Sequence, residues 1–285
     1  MKIFKNIDLK DYNFLKISYV CKCLFEVENT VEIYILLYIF KELKIDYLVI
    51  GNGSKIIFKD NTISKPIIYI NNSYSEMKIE GNSVIVSSGF LLPKLITELA
   101  NLNYGGFEKL FPIPATIGGL IYMNGGIKDY SISNFVRYII YIDDNLSIKK
   151  IYNDNCMFGY RNSIFKHKKY VILYACLDIF EMNKRQVFNN IKEMILYRKE
   201  KQEYTKNTIG SLFKNPPHMA AYEMIKETFQ NSIKINGAYV SKKHCNFLIC
   251  DNATNEDVLK LVEKIRKEVY DKYKYLLELE LNILE

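Results

Sequence analysis

The chain has 285 residues, 49% of them apolar and 25% charged, and its 39 basic and 32 acidic side chains leave a formal net charge of +7. That length and apolar content suit two or three domains with buried cores and exclude a mainly disordered chain. The lysines are scattered without a basic block, which argues against a nucleic-acid-binding surface, and six cysteines with no CxxC pair and only three histidines give no zinc-type spacing, so no metal site is expected.

Met1 to Lys10 alternates charged and apolar residues and has no apolar core of a secretory leader, so a cytoplasmic protein with reduced cysteines is expected. Val31 to Lys44 is strongly apolar without Gly or Pro and predicts a helix. Its apolar run, Ile33 to Phe40, falls far short of the ~20 residues of a membrane span, so no membrane association is expected. Strands are predicted at Tyr47 to Ile50, Lys55 to Lys59, Pro66 to Ile70 and Ser83 to Ser87, and a helix at Leu91 to Asn103. A stretch dense in Gly and Pro follows, from Gly105 to Gly126, which implies loops shaped for something other than packing. Within it Gly118-Gly119 opens a short helix. Strands are predicted at Val136 to Ile142 and Tyr170 to Glu181, then a long helix at Lys184 to Tyr204 with Val187, Ile191, Met194, Ile195 and Arg198 on one face. The last part reads as a helix at Ala220 to Phe229, a strand at Phe247 to Cys250, a helix after Thr254 capped by Asp257, and a closing strand at Leu276 to Ile283. The core stripe of the last helix is Val258, Val262, Ile265 and Val269.

Five short motifs carry candidate chemistry, and each has a plain structural reading beside the functional one. Gly51-Asn-Gly-Ser-Lys55 is an anion nest or a hairpin turn; it is neither a dinucleotide fingerprint nor a Walker loop. Pro112 to Gly119 with Asn124 is an anion-binding loop or a tightly packed turn. Phe158 to Ser163 contains a Tyr-Arg pair of the kind usually found solvated. Gly210-Ser-Leu-Phe-Lys-Asn-Pro216 places a serine after a glycine without the acid–histidine arrangement of a nucleophile elbow. Glu278 and Glu280, two apart on a predicted strand, share a face that is either a site or a solvent edge.

In order and spacing these motifs together resemble the UDP-N-acetylenolpyruvoylglucosamine reductase family over nearly the whole chain, from about Tyr12 to Glu285. The family's flavin loop, roughly LGxGSN, is similar to Ile50-Gly-Asn-Gly-Ser-Lys55. IPGTVGG…MNAG is similar to Ile113-Pro-Ala-Thr-Ile-Gly-Gly119 and Met123-Asn-Gly-Gly126, and YRxSxF to Tyr160-Arg-Asn-Ser-Ile-Phe165. GSxFKNP is present unchanged at 210–216. AxVSxKHxxFI resembles Ala238 to Leu248, and LExEV resembles Leu277 to Leu281. The short spacing between Arg161 and Gly210 resembles the family's shorter type, which lacks a tyrosine-bearing loop.

The resemblance implies an α+β fold with a two-part FAD-binding domain of PCMH type, residues 1–75 and 76–195, followed by a smaller α+β substrate-binding domain, 196–285. It implies FAD as cofactor, NADPH as co-substrate, UDP-N-acetylglucosamine enolpyruvate as substrate, and a monomer. FAD would be held by Ile50, Gly51, Asn52, Gly53, Ser54, Lys55, Gly89, Pro114, Ala115, Thr116, Ile117, Gly118, Asn124 and Gly125. The resemblance assigns Ser211 as proton donor, with Arg161 and Glu280 stabilising the charge that moves onto the substrate carboxylate; Glu280 would have to be protonated to donate. Tyr160, Lys201 and Asn215 would touch substrate. Four positions depart from the family pattern: Ser18-Tyr19 in place of a glycine pair, Lys55 in place of Asn, Ala115 in place of Gly, and Asn282 in place of an arginine. The N-terminal departures and Asn282 motivate one alternative, a divergent or non-catalytic relative that binds a nucleotide-sugar or a partner.

Overall fold

The computed structural model describes residues 1–127, 130–203, 206–230 and 233–285. It is mixed α+β, as expected, with six α-helices among the described residues: α1 (Thr30–Glu42), α2 (Leu92–Asn101), α3 (Ile117–Tyr122), α4 (Lys184–Lys201), α5 (Ala221–Phe229) and α6 (Asn255–Tyr273). Tyr204, the end predicted for the fourth helix, lies outside the described residues. The chain divides into two compact units, each assembled from separated segments. The first comprises Met1–Lys5, Cys23–Asn52 and Lys65–Leu196; the second comprises Asn6–Lys22, Gly53–Ser64 and Tyr197–Glu285.

In the first unit Ile67–Tyr69 is paired in parallel on both sides, with Leu24 to Glu26 and with Leu48–Ile50. Parallel strands are covered on their faces, and these read as short apolar runs for that reason. α1 buries Ile33, Leu36, Leu37 and Phe40 in a cluster with Val27, Ile68, Ile70 and Leu173. The Asn29 side chain accepts from the Glu32 N–H at 3.0 Å and starts this helix. An antiparallel sheet runs in the order Ile148–Tyr152, Val136–Ile142, Val171–Asp178, Ser83–Ser87, Met77–Glu80. α2 lays Leu92, Leu95, Ile96 and Leu99 into its core together with Ile117, Leu120 and Ile121 of α3. The strand predicted at Tyr170 to Glu181 is two pieces: after Asp178 the chain changes partner, and Phe180–Glu181 pairs with Tyr104–Gly105.

In the second unit a four-stranded antiparallel sheet has the order Thr208–Ser211, Phe247–Cys250, Ala238–Val240, Lys234–Ile235. α6 buries Val258, Val262, Ile265 and Val269, the predicted stripe, and also Leu261. Its predicted cap is present as a reciprocal box, Asp257 N–H to Thr254 Oγ1 at 3.2 Å and Thr254 N–H to Asp257 Oδ2 at 2.9 Å. The closing strand differs from expectation. Only Asn282–Leu284 is regular, and it pairs in parallel with Ile56–Phe58. Before it, the chain touches Phe213 through a single bridge at Leu279 and bends, so Glu278 and Glu280 do not share a face. Tyr19, where the resemblance expects a glycine, is buried and meets the Phe58 ring edge-on at 5.0 Å. An aromatic there fills core volume that a glycine pair would leave to other groups.

Candidate active site

The glycine loops meet in the first unit. Asn52 Nδ2 donates to Pro114 O at 2.9 Å, and a Cβ on Gly51 would lie 2.4 Å from Thr116 Oγ1, so the two loops lie in direct contact through positions that sequence alone singled out. Thr116, 1% exposed, accepts from the Gly119 N–H at 3.3 Å and caps the short α3 with its own hydroxyl. Gly118 N–H donates to Ser88 O at 2.8 Å, and a Cβ there would come within 2.9 Å of Ser88 Cβ. A Cβ on Gly89 would strike Asn71 O at 2.1 Å. Ile50, Ala115 and Ile117 are buried and anchor the two loops in the core.

In the Tyr-Arg motif Tyr160 is exposed and Arg161 is half-buried. A narrow turn closes through reciprocal 3.1 Å bonds between the backbones of Gly159 and Asn162. It places Arg161 in the left-handed region, φ +54°. Arg161 Nη2 donates to Gly126 O at 2.8 Å, and its guanidinium lies 5.1 Å from the centre of the Tyr160 ring. Asn124, buried, donates through Nδ2 to Gly159 O at 2.9 Å, while its Oδ1 accepts from Ser133 N–H. Ser163 Oγ donates to Tyr122 O at 2.7 Å. Residues 122–126 and 159–163 therefore form one hydrogen-bonded platform for Arg161, which explains why a motif of surface character is not a free surface pair. Gly125 serves packing, since a Cβ would meet Leu120 Cδ1 at 2.5 Å.

In the second unit Ser211 ends a strand after Gly210, whose φ is +72°. Its neighbour Leu212 accepts at O from the Glu280 N–H at 2.9 Å, and Lys214 N–H donates to Glu278 O at 2.8 Å. These bonds bring the GSLFKNP motif and the terminal acid pair together. Glu280 is 6% exposed and its Oε1 lies 3.0 Å from Lys55 Nζ; the same ammonium donates to Ser211 O at 2.6 Å. Lys55 is the hydrogen-bond donor of this pair. Glu278 is exposed and pairs with Lys214 at 3.2 Å.

Other expected residues are less enclosed. Asn215 is exposed, with Oδ1 accepting from the Ala221 N–H at the start of α5, and Lys201 pairs with neighbouring Glu200 at 2.7 Å. Gly53 is held by packing: at φ +68° its Cβ would lie 2.0 Å from Tyr12 O.

Three residues that sequence reasoning did not single out shape the site. Asn246, 2% exposed, accepts from the Phe213 N–H at 2.9 Å and donates to Phe213 O at 2.8 Å, fixing the backbone two residues beyond Ser211. It lies inside the segment already quoted, Lys243-His-Cys-Asn-Phe247, but gives no signal of its own. His244 lies tilted between Phe247 and Tyr222, with ring centres 4.4 and 5.2 Å away, and burial pushes its imidazole below the ordinary histidine value. Ser88 is the third: its Oγ is buried and has no hydrogen-bond partner among the described residues. A buried hydroxyl left over against the Gly118 loop is a donor awaiting an acceptor. Together with loops whose glycines allow close backbone approach, it fits a large polar cofactor such as a flavin dinucleotide.

Comparison with known proteins agrees with this geometry. Residues 21–145 match the model of an FAD binding domain, and residues 202–284 match that of the C-terminal domain of UDP-N-acetylenolpyruvoylglucosamine reductase. A protein of that name from Clostridioides difficile is 34% identical over 86% of this chain and 81% of its own length. One from Prochlorococcus marinus is 30% identical over 98% and 97%. The crystal structure of the Thermus caldophilus reductase superposes with a TM-score of 0.83 at 26% identity, covering 100% of this chain and 98% of that one.

Proposed function

The chain belongs to the UDP-N-acetylenolpyruvoylglucosamine reductase family, and from that premise we propose which of its residues carry the reaction. It is an FAD-dependent oxidoreductase, a UDP-N-acetylmuramate dehydrogenase, that uses NADPH to reduce the enolpyruvyl group of UDP-N-acetylglucosamine enolpyruvate in peptidoglycan precursor synthesis. Bound FAD supplies the two-electron chemistry, taking hydride equivalents from NADPH and giving them to the substrate double bond.

Ile50 to Lys55, Gly89, Pro114 to Gly118, Asn124 and Gly125 hold the cofactor, with Ser88 as an added donor. Arg161, fixed on its platform, offers a planar fork to the substrate carboxylate, where charge accumulates during reduction. Ser211 gives its hydroxyl proton to the carbon beside that carboxylate. Glu280 is the buried acid next to it, and Tyr160, Lys201 and Asn215 contact the nucleotide-sugar. In this reading the segments before residue 196 hold FAD and lend Tyr160 and Arg161 to the substrate, and those after it form the substrate-binding part. The protein works as a cytoplasmic monomer, without nucleic acid or membrane. Among the described residues no helix is long and apolar enough to cross a membrane.

The observation that carries the residue assignment is the hydrogen-bonded union of Ser211, Leu212 and Glu280, segments far apart in sequence that meet at one buried point. The test is the visible spectrum of purified protein under anaerobic conditions. Flavin bands should bleach with NADPH and return with the enolpyruvyl substrate. Ser211→Ala should bleach normally and recover slowly. A Ser211→Ala protein that recovers at the parent rate removes Ser211 as proton donor.

A further inference from the structure

We propose that Lys55 is a positioning residue for proton delivery, holding a fixed positive charge against Ser211 and Glu280; this rests on Ser211 being the proton donor. The lysine is tethered at both ends. Its Nζ donates to Ser211 O at 2.6 Å and pairs with Glu280 Oε1 at 3.0 Å. Its main-chain O accepts from Asn282 N at 2.9 Å and from Asn282 Nδ2 at 3.3 Å. The Lys55 and Glu280 side chains keep 23% and 7% of their exposure. An ion pair so enclosed rarely stabilises a fold more than apolar residues of the same shape, because desolvation offsets the Coulomb gain. Its placement against the proton donor gives it another task.

That task follows from the chemistry. When the substrate carbon is protonated, the Ser211 O–H bond breaks, a C–H bond forms, and the electron pair stays on Oγ as an alkoxide. NADPH supplies the hydride equivalents and water restores the serine proton, so the cycle balances. Serine is a weak acid, so a positive charge fixed on its own segment favours the alkoxide as it forms. The Lys55 ammonium supplies that charge, held between Ser211 O and Glu280 Oε1. The positive charge also draws on Ser211 through its main chain, which keeps the residue in register with the carboxylate.

The test separates the two half-reactions in holoenzyme by anaerobic stopped flow. Lys55→Met keeps the aliphatic stem and removes the charge; Lys55→Arg keeps the charge. Both variants are loaded with FAD and each half-reaction is measured per bound flavin, so that any loss of cofactor affinity at this loop is kept apart from the rate of recovery. Recovery of the flavin bands with the enolpyruvyl substrate should slow roughly 10- to 100-fold in Lys55→Met, with kcat falling more than KM rises, and should largely return in Lys55→Arg. Recovery at the parent rate in Lys55→Met overturns the proposal. So does an equal loss in Lys55→Arg, which would make the charge irrelevant, or an equal slowing of both half-reactions at full flavin occupancy, which would make Lys55 a structural pin. Ser211→Ala run alongside tells the two levels apart: parent-like recovery there removes the Ser211 assignment itself, whereas slow recovery there with parent-like Lys55→Met removes only the role given to Lys55.

Discussion

Replacing Gly53 by alanine should cost far more stability than replacing Gly81, although both glycines have positive φ, +68° and +56°. An L-residue in the left-handed region costs on the order of 1–2 kcal/mol, partly offset by about 0.4–1 kcal/mol because alanine narrows the unfolded ensemble. At Gly81 that is the whole effect, since a Cβ there meets nothing within 4 Å. At Gly53 the Cβ would lie 2.0 Å from Tyr12 O and 3.0 Å from Asn13 Cα, both main-chain atoms. That segment cannot retreat cheaply. Asn13 is 3% exposed and its Nδ2 donates to Leu9 O at 2.7 Å and Ile17 O at 2.8 Å, while Phe14 N–H donates to Gly53 O. Forcing the backbone apart adds roughly 1–3 kcal/mol. The expected destabilisation is therefore about 1–4.6 kcal/mol for Gly53→Ala and at most about 1.6 kcal/mol for Gly81→Ala. Urea denaturation of the apoproteins measures it, followed by far-UV circular dichroism or by the fluorescence of the 23 tyrosines, since the chain has no tryptophan. Equal midpoints for the two variants would falsify the close-contact account of the Gly53 turn.

Asn246→Ala should cost roughly 2–5 kcal/mol, because it strands a buried N–H and a buried C=O of Phe213, and it should lower kcat through the displaced Ser211 segment; parent-like urea midpoint and kcat would contradict this. Cys156 and Cys250, whose thiols burial pushes up to about 12, should resist a thiol-specific reagent at neutral pH until urea is added, and labelling of either at the rate of a free cysteine would refute their enclosure. His244 makes stability depend on pH. Burial lowers its affinity for a proton in the native state, so below an ordinary value near 6.5 the unfolded chain binds the proton first and stability falls as pH drops, by up to about 1.4 kcal/mol per pH unit until the native ring also protonates. His244→Phe should flatten urea midpoints over that acidic window, and an unchanged slope would mean the ring is solvated.

The helices were legible because their signals are local. The Thr254–Asp257 box and the Val258, Val262, Ile265, Val269 stripe are read within one window, and both stand in the structure. The glycine loops were legible as loops for the same reason. What each loop touches was not, because Asn52 meets Pro114, and Gly118 meets Ser88, across long stretches of chain. The closing strand was misread for the opposite reason. Alternation at Leu277-Glu-Leu-Glu-Leu281 is a local strand signal, yet a long-range partner decides the outcome: Lys55 draws Glu280 inward while Lys214 holds Glu278 in solvent. Likewise the pairing of Ile56–Phe58 with Asn282–Leu284 joins the strand after Lys55 to the chain end and leaves no trace in either segment.

That pairing also changes the meaning of two departures that sequence presents as separate losses. Lys55 stands where the family pattern has an asparagine, and Asn282 where it has an arginine. Read singly, the first is a foreign charge in a cofactor loop and the second a missing contact to substrate. In the structure they touch: Asn282 Nδ2 donates to Lys55 O, and the Lys55 ammonium closes on Glu280, two residues before Asn282. The neighbourhood of Glu280 therefore keeps a cation supplied from the opposite strand of the same parallel pair. A chain drifting out of function has no reason to hold an ammonium between Glu280 and Ser211, since an enclosed charge is tolerated only where partners are kept for it. A chain that still performs the reaction does have one, and on that ground the departures count as a rearranged site and weigh against the non-catalytic reading.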